Sequence, residues 1–145
     1  MAADAWLIYH SAKEYIGDNT IDLDNDTFVC DLVTSAYTPS LSTHTAKSDL
    51  GANIVSGNGY ASDTLVVTWV QSGGTVTFDS DDATYTASGG SITARYAVIW
   101  DDTTTSPVDA LLCYSLLDNA PADVSVTDGN TLTVQMNASG VFTLT

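Results

Sequence analysis

Positive charge is nearly missing from this chain. Lys13, Lys47 and Arg95 stand against eighteen acids, almost all aspartate, for a formal net charge of −15. Such a charge repels phosphate backbones and anionic lipid alike, so neither nucleic acid nor a membrane is an expected partner. Long apolar runs are missing too. No segment approaches the roughly 20 apolar residues that span a bilayer, and the run Trp6-Leu7-Ile8-Tyr9 is too short, and lacks the basic flank, for a secretory signal. Synthesis and use without Sec export are expected.

Cysteine is scarce. Cys30 and Cys113 both lie inside apolar runs, FVCDLV and LLCYSLL, where a free thiol behaves as a small hydrophobe. One pair is no disulfide framework, and zinc needs about four closely spaced ligands that these two lack. Histidine is scarce as well. His10 and His44 are the only imidazoles, and no G-x-S-x-G elbow accompanies them, so a hydrolytic triad is not expected.

What is present reads as β. Aspartate, threonine and serine favour turns and strands over helices, because short polar side chains compete with helical backbone bonds and threonine packs well on a pleat. At 145 residues the chain has the length of one domain, enough to bury about 68–70% of its unfolded surface. The reading is a single β-rich domain over residues 1–145, with an N-terminal helix or arm at 1–16 and a β body at 17–145.

Apolar residues at helical spacing across AWLIYHSAKEYIG predict one helix, with Asp4 as its cap and Gly17 as its left-handed stop. That helix packs on its own domain or on a neighbouring subunit. After Gly17 the period is two. Thr27 to Thr34 reads as a strand with Phe28, Cys30 and Leu32 on one face and Val29, Asp31 and Val33 on the other. AYTPSLSTHTAKSDLGA reads as a long connection, and NIVSGNGY as a short strand entering a turn. TLVVTWVQ and TVTFD around SGG form a hairpin signal. ATYTA reads as another short strand, and SITARYAVIW as one central strand. DDTTTSPVDA reads as a polar loop before the strand LLCYSLL, and the tail as a meander of three short strands. Together these predict an all-β, antiparallel sandwich or small barrel-like sandwich with one short N-terminal helix.

The chemical candidates are few. Asp22, Asp24 and Asp26 match the first ligands of an EF-hand loop, but Thr27 replaces its glycine and Val33 stands where its bidentate glutamate belongs. The expected role is a turn, with Ile21 and Leu23 tucked inward and Asp26 accepting backbone N–H groups. The cluster Asp79, Asp81, Asp82 and the pair Asp101, Asp102 follow strand ends as solvated turns would. Arg95 is expected to pair with a neighbouring aspartate or stack on an aromatic ring, with an intersubunit pair as the alternative. No catalytic, cofactor-binding or metal-binding residue is assigned, no enzyme activity is expected, and interface residues are left open.

Four blocks taken together, IDLDNDTFVCDLVTSAYTPSLSTH, SGNGYA, ITARYAVIWDDT and TVQMNASGVFTL, resemble a family of small head decoration, or cement, proteins of tailed bacteriophages. The resemblance runs in order over most of the chain and departs at Val29, Cys30 and Asp31, where a lysine and small apolar residues are common. It implies a virion protein made in the host cytoplasm and docked on the capsid exterior, with the major capsid protein as partner and self-association as a homotrimer. The alternative is a tail-associated or glycan-binding β module, with Trp69 or Trp100 exposed to ligand.

Overall fold

A computed structural model describes residues 3–145. The fold is all-β, with several antiparallel sheets in a sandwich-like arrangement. Its main sheet has five strands. In chain order these are β1 (Leu7–Ile8), β2 (Phe28–Val33), β3 (Asp63–Thr64), β8 (Tyr96–Thr105) and β9 (Val108–Leu116), arranged β1-β9-β8-β2-β3. The remaining strands are β4 (Val67–Ser72), β5 (Thr75–Ser80), β6 (Ala83–Thr86), β7 (Ile92–Ala94), β10 (Val124–Val126), β11 (Thr131–Val134) and β12 (Phe142–Leu144). They form a three-stranded sheet β12-β5-β4 and two ribbons, β10-β7 and β11-β6.

Strand β8 lies at the centre of the main sheet, and its neighbour β2 is buried at all six positions. Such a strand is covered on both faces. Phe28 meets Phe78 of β5 edge to face, with ring centroids 5.2 Å apart. On the opposite face Tyr96 and Tyr114 pack together and against Tyr37 and Tyr9. Cys30 pairs with Ile99, and Ile99 with Cys113, so a whole strand separates the thiols. Two strand spacings are about 10 Å, beyond the Cα reach of a disulfide, and both cysteines are free and buried.

The N-terminal segment differs from its helical reading. Leu7 and Ile8 are extended and pair with Tyr114 and Cys113, and only then does helix α1 (His10–Gly17) begin, with extended Tyr9 at its N-cap. Asp4 caps nothing: its N–H donates to Leu116 O and its carbonyl accepts from Ser115 Oγ. The left-handed stop is Asn19 (φ 63°) rather than Gly17. The helical spacing was genuine, but an open edge of β9 gave residues 7 and 8 a ladder to join. Tyr9 and Ala12 are wholly buried, so the segment packs on its own domain.

Other boundaries moved for similar reasons. TLVVTWVQ breaks at Leu65-Val66, where the chain leaves the main sheet and joins the three-stranded one; Leu65 turns inward and Val66 faces out. SITARYAVIW breaks at Arg95, between β7 and β8. The polar run DDTTTSPVDA is no loop: β8 continues to Thr105, opposite Val108 of β9, around a cis Ser106–Pro107 bond. A 3₁₀ segment, Lys47–Asn53, lies in the long connection, where Asp49 Oδ2 accepts the N–H groups of Thr45 and Ala46. Ile54 makes only an isolated bridge to Val33. The three C-terminal strands are not a meander: β10, β11 and β12 pair with β7, β6 and β5 respectively.

Candidate functional site

The aspartates that crowd the sequence serve mostly as acceptors for loop backbone. Asp81 Oδ1 receives the N–H of Val66 at 2.7 Å, Asp82 Oδ1 that of Met136 at 2.8 Å, and Asp63 Oδ2 that of Thr84 at 2.7 Å. Asp128 does the same for Gly89. A short carboxylate can brace the chain close to its own backbone, and a charged acceptor makes a bond about twice as strong as a neutral one. In the cluster Asp79 to Asp82, Asp81 and Asp82 are therefore joints to two distant connections, at Val66 and Met136, while Asp79 Oδ1 accepts the N–H of its neighbour Ser80.

The entry loop before β2 follows the same logic. Asp22 Oδ1 accepts the N–H groups of Asp24 and Asn25, and Asp26 Oδ2 accepts that of Asp22 at 2.7 Å. The Asn25 amide, then the Asp24 N–H, hold the Asp22 carboxyl below the usual carboxylate range. Ile21 and Leu23 are buried between the acids. Among the described residues no three His, Cys, Asp or Glu side chains converge as a metal-holding group.

Beneath this loop lies a contact that the sequence pattern does not show. Asp101, on β8 opposite Phe28, is fully buried; its Oδ1 accepts the Thr103 N–H, and its Oδ2 has no hydrogen-bond partner. Burial pushes its carboxyl up to about 7, and the adjacent Asp26 carboxyl adds to the rise while the Thr103 N–H opposes it. Two carboxyls in contact cannot both ionise cheaply. Protonation of Asp101 therefore relieves both its burial and the repulsion from the adjacent Asp26 carboxyl. Both Asp101 and Asp102 lie within β8, and of the two only Asp102 is exposed as a solvated turn residue would be.

A second buried acid is fully satisfied. Asp31 Oδ1 accepts Tyr60 Oη at 2.7 Å and Ser62 Oγ at 2.5 Å, and its Oδ2 accepts Trp100 Nε1 at 2.8 Å. Tyr60 also accepts the Leu32 N–H and stacks on Tyr85, whose hydroxyl donates to Cys30 O. Each hydrogen bond to a charged group contributes about 1.5–3 kcal/mol, and an orphaned donor costs a comparable amount, so this cluster is a brace across β2, β8 and the SGNGYA turn. Its signal in the sequence was an aspartate inside an otherwise apolar strand. That turn needs its glycine: Gly59 has φ +77°, and a Cβ there would lie 2.9 Å from Ser88 Cβ.

The other candidates are dispersed. His10 is exposed at the start of α1. His44 Nδ1 lies 2.7 Å from Tyr37 Oη, which is 2.9 Å from Tyr9 Oη, so the long connection is tied to the helix through two phenols. Among the described residues neither imidazole hydrogen-bonds a serine hydroxyl or a thiol: His44 Nδ1 meets Tyr37 Oη and the Ser40 N–H, and Cys30 and Cys113 are buried, with burial pushing the Cys30 thiol up to about 12. Arg95 Nε pairs with Asp123 Oδ1 at 2.8 Å, at side-chain exposures of 22% and 39%. An open pair of that kind contributes about 0–1 kcal/mol. Trp100 is buried with Lys47 Nζ 3.7 Å over its ring, whereas Trp69 remains half-buried on β4.

No protein-family model, curated protein or solved structure matches this chain. Among the described residues, no helix is long and apolar enough to cross a membrane.

Proposed function

We propose that the chain is a head decoration protein of a tailed bacteriophage, binding the outer capsid surface beside the major capsid protein and reinforcing capsomer junctions. The observation that supports this reading is the way the four family-like blocks meet. IDLDNDTFVCDLV and ARYAVIWDD supply β2 and β8, which pair over six residues; SGNGYA supplies Tyr60 to Asp31; and NASGVF turns against Phe78, where Gly140 and Val141 close on β5. The resemblance is thus carried by residues that hold one body together. A cement protein asks for such a body, since its work is mechanical.

The polar groups fit the same role. The acids described above are committed to loop backbone, to neighbouring side chains or to one another, and strong outward negative charge discourages contact with DNA and with other virions. For the alternative, a tail-associated or glycan-binding module, burial of Trp100 removes one of its two stacking rings.

The test is addition of purified protein to undecorated heads. Saturable, stoichiometric binding and greater resistance of the heads to heat are expected. Labelling of tails or host cells instead, with no binding to heads, would sink the reading.

A further inference from the structure

A chain with net charge −15 still has a region without charge. No Asp, Glu, Lys or Arg lies between Thr64 and Phe78 or after Asp128, and the fold joins parts of these two segments in the sheet β12-β5-β4. Two acids border it at one end: Asp79, near the end of β5, whose Oδ1 accepts the Ser80 N–H, and Asp81, whose Oδ1 accepts the Val66 N–H just before β4. Trp69, Phe78 and Phe142 stand opposite one another across the three strands. Apolar side chains are left in solvent around them: Val66 at 70%, Val70 at 57% and Leu144 at 44% exposure.

The edge of this sheet is open. Strand β4 pairs with β5 on one side and with no described strand on the other. Soluble proteins guard such an edge with lysine, proline, a bulge or an inward charge, because its free N–H and C=O groups template pairing with another chain. The sequence VTWVQS contains none of these residues, and its register with β5 runs unshifted from Val67↔Ser80 to Ser72↔Thr75.

We propose that a second copy of this chain adds to the β4 edge, strand against strand. The charge distribution chooses the occupant. A basic partner would be drawn to the aspartates and not to this sheet, whereas two copies of the same acidic body repel wherever their acids face one another. The uncharged strand lets two main chains meet along β4, and salt, which screens over about 8 Å at physiological ionic strength, weakens the repulsion that remains between the two copies' acids. Antiparallel pairing of β4 with its own copy is two-fold and makes a dimer. Pairing of β4 with a neighbour's β12, the other open edge of the sheet, runs head to tail and makes a ring when the rotation between copies closes. Both arrangements cover Val70. The proposal stands apart from capsid binding, since self-association can hold whether or not heads are decorated.

Light scattering on fractionated protein, at several concentrations and at low and high salt, tests it. A dimer or trimer mass that grows with concentration and with salt is expected. Val70→Lys, or Thr68→Lys if the first variant melts early, places a gatekeeper charge on the edge and weakens association roughly tenfold or more. Val108→Lys, at an exposed position on the β8–β9 hairpin outside this sheet, leaves the mass unchanged. A monomer at every concentration and salt, or an oligomer that both edge variants leave intact, overturns the proposal.

Discussion

Asp101 shows how much a single side chain's setting matters. Its carboxyl is raised from 3.8 to about 7, chiefly by burial. Below about pH 4 both the folded and unfolded chains hold the proton. As the pH climbs toward 7 the unfolded chain releases it while the folded chain keeps it, so this group's contribution to stability falls through that window and stays low above it. Asp101→Asn keeps a donor toward Asp26 and removes the titration. Urea unfolding at steps between pH 4 and 8 checks this: the difference between wild type and variant should shift steadily in the variant's favour as pH rises. A constant difference would contradict it. Asp31, equally buried, has three neutral donors in place, which is why two aspartates on adjacent strands have such different surroundings.

At the scale of elements, the N-terminal segment carries a clear expectation. It is clamped at three points: the β1–β9 ladder, the Tyr9 ring against Tyr114, and the Tyr9–Tyr37 hydroxyl contact. Tyr9→Ala removes a wholly buried ring from that joint, and truncating a buried aromatic costs about 3–5 kcal/mol. Thermal melting of the variant should fall by many degrees, whereas a loosely held arm would allow the change with little effect. Strand identity along the body was legible because alternation is local: β2, the β4–β5 hairpin and β8 all carry period-two patterns. Strand ends were less legible. Leu65-Val66 and Arg95 mark places where the chain passes from one sheet to another, and the residues there alternate as regularly as those on either side.

For the whole molecule the governing quantity is the charge of −15. Repulsion among exposed aspartates opposes the compact state, and salt shortens its range from about 30 Å at 0.01 M to about 8 Å at 0.15 M. The melting temperature of the wild type is therefore expected to rise with sodium chloride over that range and then level off. Scanning calorimetry along a salt series measures it, and a melting temperature that falls would show that attractive ion pairs outweigh the repulsion. The Arg95–Asp123 pair is too exposed to reverse the trend.

The sequence by itself determined that this protein is β-rich and strongly acidic, that Phe28, Cys30 and Leu32 share a face, and that the acids of the entry loop form a turn. These follow from composition and from spacings of two to four residues. Only the tertiary structure decided the rest: that Leu7 and Ile8 leave the helix for a sheet edge, that the three C-terminal strands separate to pair with β7, β6 and β5, that Asp101 meets Asp26, and that two uncharged segments far apart in the chain join in one sheet. Each of these depends on a partner distant in sequence. A side chain's local pattern fixes which way it points, but burial and pairing are set by what the fold brings to meet it.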